Sequence, residues 1–302
     1  MPLFLQSVVR RSIIGGLFVA LTLLAACSAV RLTYNQGPQL VYWRFDSYVD
    51  FDDAQSALAK QSIAEWFHWH RTTQLKDYAA LLARAGQQAA EPTTAAAACR
   101  WVEDIAARMQ TAYERAIPAA AEILRTLSPA QVRYLERKYA KVDDEFADEH
   151  LQSSPKDRLA AAVKRVVKNV DRLYGSVTPA QRELIERAMV ASPYDAEAVL
   201  AERKAREQES LTMARRWVAE RPPAAKVQAD LHLLAEHAMH SPRERYRDYA
   251  QRVGPFNCAL SAQIHNTATA AQRQRAVERL RGWEADLQAL SAQGAPAGSP
   301  SP

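Results

Sequence analysis

Histidine side chains are the groups in this 302-residue chain that could most directly bind a metal ion. His232, His237 and His240 fall on one predicted helix, but a zinc site on a helix needs ligands four residues apart or a further ligand from another segment. His68 and His70 are two residues apart, so they point to different sides of a helix. This spacing favours exposed or packed histidines, and we predict no metal site.

Nucleophiles and acid–base groups show no familiar catalytic arrangement. The chain lacks the Gly-x-Ser-x-Gly, His-Glu-x-x-His and Asp-x-Asp-x-Asp-Gly patterns of hydrolases, metalloproteases and calcium loops. Acidic residues crowd segment 143–149, and basic residues fill segment 156–172 of the next predicted helix. Antiparallel packing would bring the two sets together as a solvated surface of compensating charge. We therefore predict no cofactor and a protein that is not an enzyme.

The N-terminal segment is typical of a targeting signal. Arg10 and Arg11 precede an apolar run from 13 to 26. This run is too short to span a bilayer comfortably, since a transmembrane helix needs about 20 apolar residues. Its length matches the hydrophobic region of a signal peptide. We therefore expect an exported protein.

The apolar run ends in Leu24-Ala25-Ala26-Cys27, which resembles the bacterial lipobox. The resemblance implies that everything before Cys27 is cleaved off as a signal peptide and that fatty acyl chains such as palmitate are attached to this cysteine. Because Ser28 rather than aspartate follows, the resemblance also implies the outer membrane, on its periplasmic face. The alternatives are an ordinary secretory signal or an uncleaved anchor with a chance cysteine.

The two other cysteines form one candidate pair. Once Cys27 carries lipid, Cys99 and Cys258 remain, and the oxidising periplasm permits a disulfide between them. The bond would close a loop of roughly 160 residues and contribute about 4–5 kcal/mol by the chain-entropy model. Two separate buried thiols are the alternative. The sequence leaves both arrangements open.

The rest of the chain predicts helix after helix. Only 9 glycines are present, which is few for a β-rich chain, and good helix formers dominate from Asp52 onward. Apolar residues recur at spacings of three and four, as in Ile105, Met109 and Ala112. We predict an all-α, irregular multi-helix bundle of nine to ten helices after a cleaved lipoprotein signal peptide. The body helices are expected at 52–71, 73–86, 93–126, 129–152, 155–174, 179–191, 194–220, 224–240, 242–266 and 270–290.

Composition and local character divide the chain into four parts. We predict a lipoprotein signal peptide over 1–26, a lipidated aromatic-rich lead over 27–51, a helical body over 52–290 and a disordered tail over 291–302. The lead is expected either to pack on the body or to touch the membrane interface. The tail is rich in Gly, Pro, Ser and Ala, a composition that cannot build a core.

One four-residue pattern recurs at the start of four predicted helices. Its first residue can cap the helix by accepting a hydrogen bond from a backbone N–H, and its glutamine can bond back to complete a capping box. The spacings between copies are unequal, so they do not predict a regular solenoid. The four pairs are Asp52 and Gln55, Ser128 and Gln131, Thr178 and Gln181, and Thr269 and Gln272.

Two of these copies resemble a motif of known envelope proteins. Ser128-Pro-Ala-Gln131 and Thr178-Pro-Ala-Gln181 are similar to the Leu-Thr-x-x-Gln motif of the Spy and CpxP-like periplasmic stress proteins. That resemblance implies ATP-independent holding of unfolded chains under envelope stress. It covers only two segments of about ten residues, and helix capping explains the same pattern without a common origin.

A set of short segments along the mature chain carries a second resemblance. The segments are Cys27-Ser28, Leu32-Thr33-Tyr34-Asn35, Trp43, Tyr48-Val49-Asp50-Phe51-Asp52, Gln55, Trp69-His70-Arg71 and Ser128-Pro129-Ala130-Gln131. On these residues nearly the whole mature chain resembles the uncharacterised helical lipoproteins of Gram-negative bacteria, which are grouped as a domain of unknown function. The resemblance implies a location and a fold class but no established activity.

Trp66 and Trp69 are three residues apart on the first body helix and can share a face. They form either a surface that binds clients or cell wall, or part of the core.

We expect a non-enzymatic envelope protein that is held in the membrane by its N-terminal lipid and binds other proteins or unfolded chains. A structural or cell-wall-associated lipoprotein with one fixed envelope partner is the alternative. The net charge of +5 requires no nucleic-acid partner.

Overall fold

The structure, a computed structural model, describes residues 29–152 and 154–294. Leu24, Ala25, Ala26 and Cys27 lie outside the described residues, as does the part of the predicted 291–302 tail from residue 295 onward. Residues 291–293 of that predicted tail are the end of the last helix. The described parts of the chain are built from helices and contain no strand, which confirms the all-α prediction. None of the helices described is long and apolar enough to cross a bilayer.

Helices follow one another with short connections along the whole described chain. The ten helices expected in the body are all present, and their ends agree with the sequence prediction to within three residues. In chain order the elements are α1 (Ala29–Asn35), α2 (Gly37–Val49), α3 (Asp53–Trp69), a π-helical turn (His70–Gln74), α4 (Leu75–Gln88), α5 (Ala95–Leu124), α6 (Pro129–His150), α7 (Pro155–Tyr174), α8 (Pro179–Val190), α9 (Ala196–Glu220), α10 (Ala224–Met239), α11 (Glu244–Asn266) and α12 (Ala270–Gln293).

The predicted count of nine to ten helices is too low. With α3, the π-helical turn and α4 counted as one continuous helix, the described chain has eleven. The difference lies in the lead, which forms α1 and α2. Pro38 lies in the first turn of α2, where its missing N–H costs nothing, so it begins a helix there rather than breaking one.

Helices α1 and α2 are nearly continuous. The backbone N–H of Gln36 donates to the carbonyl of Leu32, and the N–H of Leu40 donates to that of Gln36, both at 3.1 Å. These bonds carry the α-helical pattern across the junction. Residues on the two helices can therefore be compared by the same helical spacing.

Two large cores and one small cluster organise the body. The first core lies between α5, α6, α9 and α10 and includes Ile117 and Val227. The second lies between α4, α7, α8, α11 and α12 and includes Ile185 and Ala276. A smaller cluster joins α2, α3 and α5. Helix α5 contributes to the first core in its C-terminal half, and near its N-terminus Cys99 is bonded to Cys258 of α11 with Cα atoms 5.3 Å apart.

The four capping boxes are all formed, and they meet in pairs. Gln131 Nε2 donates to Gln55 Oε1 at 2.5 Å, and Gln181 Nε2 donates to Gln272 Oε1 at 3.0 Å. Each glutamine thus closes its own box and also bonds the glutamine of a second helix start. The N-terminus of α3 is joined in this way to that of α6, and the N-terminus of α8 to that of α12.

Candidate functional site

An apolar groove of about 580 Å³ lies between α2, α3 and α5. Its floor is the small core cluster, in which Ala59, Ile63 and Ile123 are buried. The groove is lined by Val41, Phe45, Val49, Phe51, Ala59, Ser62, Ile63, Glu65, Trp66, Phe67, Ala112, Tyr113, Arg115, Ala116, Pro118, Ala119, Ala120, Ile123 and Leu124.

Large apolar side chains of the groove walls are open to solvent. Phe45 of α2 is 53% exposed, and Tyr113 of α5 is 41% exposed. Isolated exposed apolar residues are common on protein surfaces, but a contiguous apolar patch marks an interaction site. The two charged side chains of the lining, Glu65 and Arg115, are exposed and have opposite charges. The surface therefore suits an apolar ligand rather than a highly charged one.

The apolar surface continues beyond the groove along α5. Val102, Ile105 and Met109 are 50–67% exposed and follow one another at spacings of three and four. Ala112 and Ala116, which line the groove, continue the same helical face. From residue 102 to residue 124 this face extends about 33 Å at the helical rise of 1.5 Å per residue.

Trp66 is held firmly in the groove wall. Its Nε1 donates to the carbonyl of Ala112 on α5 at 2.9 Å, and its ring stacks on His70 with centroids 4.7 Å apart. His70 Nδ1 is in turn hydrogen-bonded to the Tyr34 hydroxyl at 2.9 Å. Burial lowers the pKa of His70 to about 4, so its imidazole is neutral near pH 7. These contacts link α1, α3 and α5 into one wall.

The π-helical turn sets which way α3 and α4 face. The Thr73 hydroxyl donates to the Trp69 carbonyl at 2.7 Å, and the Thr72 hydroxyl donates to the His68 carbonyl at 2.9 Å, so side chains satisfy two backbone carbonyls beside the widened turn. One extra residue in a helical turn rotates the following helix by about 100°. Helix α3 therefore presents Ile63 to the groove, whereas α4 presents Leu82 to the second core. Such turns occur often at functional sites.

The two tryptophans singled out by their spacing have different positions. Trp66 lines the groove. Trp69 packs edge-on against Trp66 at 5.8 Å between ring centroids and lies beneath the Arg115 guanidinium, outside the groove lining. Of the two tryptophans only Trp66 faces the groove, and Phe45 of α2 lines the opposite wall.

The histidines of α10 do not converge. His237 Nδ1 lies 2.5 Å from Glu209 of α9, and His240 Nδ1 lies 2.9 Å from Glu236 on its own helix. Across residues 29–152 and 154–294, no group of three His, Cys, Asp or Glu side chains could hold a metal ion.

A pair of carboxylates lies away from the groove, between α6 and α9. Arg203 Nε is 2.9 Å from Asp143 Oδ1 and donates to Glu207 Oε1 at 3.0 Å. Burial, together with the nearby Asp143 charge, raises the pKa of Glu207 to about 7. The expectation that this acidic segment would face the basic residues of the next helix is wrong for Asp143, because α6 packs along α9 and Arg203 supplies the cation.

The groove was not foreseen from the sequence. Its floor residues obey helical spacing, but its second wall comes from the lead, whose packing against α3 is a long-range contact. The aromatic density of the lead was the available signal. Gly37 permits the close approach, because a Cβ at this position would lie 2.5 Å from the Phe67 ring.

Comparison with known proteins gives one match. The model of a family described as a family of unknown function (DUF6279) matches residues 47–232, which is well over half of the chain. No curated protein and no solved structure matches. The matched segment includes most of the groove and all of α3 to α9.

Proposed function

The chain belongs to DUF6279, a family of unknown function, and from that premise we propose that it is a lipoprotein of the outer membrane that binds other proteins through its groove on the periplasmic side. The protein acts without catalysis, in the manner of a chaperone that holds apolar segments of its clients. The observation that carries the proposal is the open apolar groove with the half-exposed Phe45 and Tyr113 in its walls.

The shape of the apolar surface favours a polypeptide over a small molecule. Small ligands are usually enclosed in a pocket that covers most of their surface. Here the groove opens onto the exposed face of α5 from Val102 to Met109, so the apolar surface is long and narrow. An amphipathic helix places apolar residues at spacings of three and four, and it can lie along such a surface.

The membrane location is supported by the sequence before α1. The lipobox resemblance ends at Cys27, two residues before Ala29 begins α1. Multiple acyl chains on one cysteine give a stable anchor, whereas a single chain would bind marginally. A signal peptide also delivers the chain to an oxidising compartment, in which the Cys99–Cys258 disulfide is stable.

The absence of enzymatic activity is supported by the chemistry of the groove. Its two charged groups, Glu65 and Arg115, are exposed to solvent and opposite in charge. The perturbed carboxyl of Glu207 lies in a different place, between α6 and α9, and is paired with Arg203.

Active sites usually combine a pocket with a perturbed acid or base. At this groove the perturbed groups are Tyr113 and His70, and burial raises the pKa of the first and lowers that of the second, so both are uncharged near pH 7. Both are hydrogen-bonded within the fold, since the Tyr113 hydroxyl donates to the Leu231 carbonyl and His70 Nδ1 is bonded to the Tyr34 hydroxyl.

A second candidate is a structural lipoprotein with one fixed envelope partner. Trp66 favours it, because two contacts, to Ala112 and His70, hold its ring rigidly. Rigid, preformed surfaces suit one partner, whereas binders of many partners tend to repack flexible side chains. The exposed Met109 beside the groove supplies such flexibility and favours the first candidate.

Photo-cross-linking in living cells tests the proposal and separates the two candidates. A photoreactive amino acid at Ala116 faces the groove, and one at the exposed Ala107 on the same helix is the matched control. We expect adducts with many different proteins from position 116 and far fewer from position 107. A single discrete adduct would establish the fixed-partner alternative. Equal labelling from both positions would refute binding in the groove.

A further inference from the structure

The outward face of α1 and α2 carries exposed apolar side chains. Leu32, Leu40 and Trp43 are 46–60% exposed, and they are separated by eight and three residues. Because the hydrogen-bond pattern continues between the two helices, these spacings place the three side chains on one face. Tyr34 and Tyr42 lie on the opposite face and pack toward α3.

This face is poor in charge, since the one exposed charged residue of α1 and α2 is Arg44, four residues after Leu40. Eight residues between 29 and 43 are exposed, and none of them is charged, although charged residues make up 24% of the chain. Asp46 is the first acidic residue in the sequence. A face that meets only water would be expected to carry charged side chains. Tryptophan is enriched at the boundary between lipid headgroups and acyl chains, where its apolar ring and its N–H are both accommodated.

We propose that this face of α1 and α2 lies in the surface of the bilayer that holds the lipidated Cys27. The inference rests on the proposed lipidation. A chain spans at most about 3.6 Å per residue, so the Cα atom of Ala29 lies within about 7 Å of that of Cys27. An anchored cysteine therefore brings α1 to the bilayer surface, where an interfacial helix buries its apolar face about 5–10 Å deep.

The same geometry orients the groove. Phe45 follows Trp43 by two residues, a helical rotation of about 200°, and lines the groove on the other side of α2. With Trp43 in the bilayer surface, the groove faces away from the membrane and is open to periplasmic clients. Helix α2 thus contacts the bilayer with one face and forms a groove wall with the other.

Fluorescence quenching by brominated lipid tests this inference on the full lipidated protein. The protein is purified from membranes and reconstituted into vesicles of phosphatidylcholine and phosphatidylglycerol that carry bromine on their acyl chains. Trp43 is the one exposed tryptophan, whereas the other five are buried or partly buried. We expect bromine to quench part of the emission of the wild-type protein, and we expect this component to be lost in Trp43→Phe.

A matched control keeps a tryptophan on α2 but moves it to the groove side. The double variant Trp43→Phe, Phe45→Trp should show no quenching by bromine, since position 45 faces away from the bilayer. Equal quenching in the wild type and in Trp43→Phe would overturn the inference. The inference would also be overturned if the Trp43 fluorescence changed with the amount of protein per vesicle but not with bromine. That result would mean that a second copy of the chain covers this face.

Mass spectrometry of the same sample tests the lipid anchor at Cys27 separately from the bilayer contact of Trp43. Acylated Cys27 without quenching of Trp43 would overturn the bilayer contact and leave the anchored binding protein intact. Unmodified Cys27 would overturn the lipid anchor, and the bilayer contact would fall with it. Acylated Cys27 with quenching that Trp43→Phe removes would support both.

Discussion

Replacing Gln131 by Glu separates the capping role of this residue from its pairing role. Either side chain can accept from the Ser128 N–H, a bond of 2.9 Å here, so the capping box survives the change. Only the amide of glutamine can also donate to the Asp50 carbonyl, at 2.9 Å, and to Gln55 Oε1, at 2.5 Å. If the motif serves only to cap a helix, Gln131→Glu is neutral.

The structure predicts a substantial loss of stability instead. The substitution removes two donated hydrogen bonds in a buried site, where Gln131 is 8% exposed. Each such bond contributes about 1 kcal/mol net. The new carboxylate also faces the Asp50 carbonyl and Gln55 Oε1, which can only accept, and the donor left beside it is Gln55 Nε2, whose bond to the Gln131 oxygen is long at 3.4 Å. We expect a loss of about 2–3 kcal/mol in the free energy of unfolding at pH 7. The loss should shrink in acid, because a protonated carboxyl can donate again.

Urea unfolding followed by far-ultraviolet circular dichroism measures this difference. Gln131→Ala should cost a similar amount, and the double variant with Gln55→Ala should cost about 1 kcal/mol less than the sum of the two single changes, since both remove the same bond. The control is Gln61→Ala, which changes an exposed glutamine on α3, the helix that carries Gln55. It should change the free energy of unfolding by less than about 0.5 kcal/mol. A Gln131→Glu protein as stable as the wild type would refute the pairing argument.

Three further predictions concern the disulfide, the buried acid and the anchor. Replacing Cys99 and Cys258 by alanine should lower the free energy of unfolding by about 4–5 kcal/mol, as measured by urea unfolding. Adding reductant to this variant should cause no further loss. An unchanged urea midpoint would contradict a stabilising bond. The pKa of Glu207 is raised from 4.5 to about 7, so its ionisation costs folding free energy as pH rises through that range. Glu207→Gln should therefore be as stable as the wild type below pH 4.5 and increasingly more stable as pH rises to 7, as measured by thermal unfolding against pH. A difference in stability that does not change with pH would contradict the assignment. Cys27→Ala should move the protein from the membrane fraction to the soluble fraction, and its retention in membranes would contradict the lipid anchor.

Local features of the sequence carried most of the helix prediction. Capping boxes involve residues three apart, so Thr178 and Gln181 could be identified without knowledge of the fold. The pairing of the capping-box glutamines could not be identified in this way, because Gln181 and Gln272 are separated by 91 residues and meet only when α8 and α12 pack. The same reason left the disulfide open until the positions of α5 and α11 were known.

The lead and the acidic segment show how tertiary packing overrides expectation. Glycine and proline are poor residues for a helix interior, but Gly37 allows contact with Phe67 and Pro38 lies in the first turn of α2. Asp143 was expected beside the basic residues of the next helix in sequence, yet its partner is Arg203 on α9. In both cases the deciding contact is distant in sequence, and periodicity carries no information about it.

Suppression of aggregation by the mature protein tests the central claim most directly. An unrelated denatured client is diluted into buffer with an equimolar amount of protein, and light scattering is followed. Phe45→Ser removes a side chain from the groove wall, and Trp43→Ser removes one of similar exposure from the opposite side of the same helix. The account predicts strong suppression by the wild type and by Trp43→Ser, and clear loss of suppression in Phe45→Ser. No suppression by the wild type, or equal suppression by both variants, would contradict binding of clients in the groove.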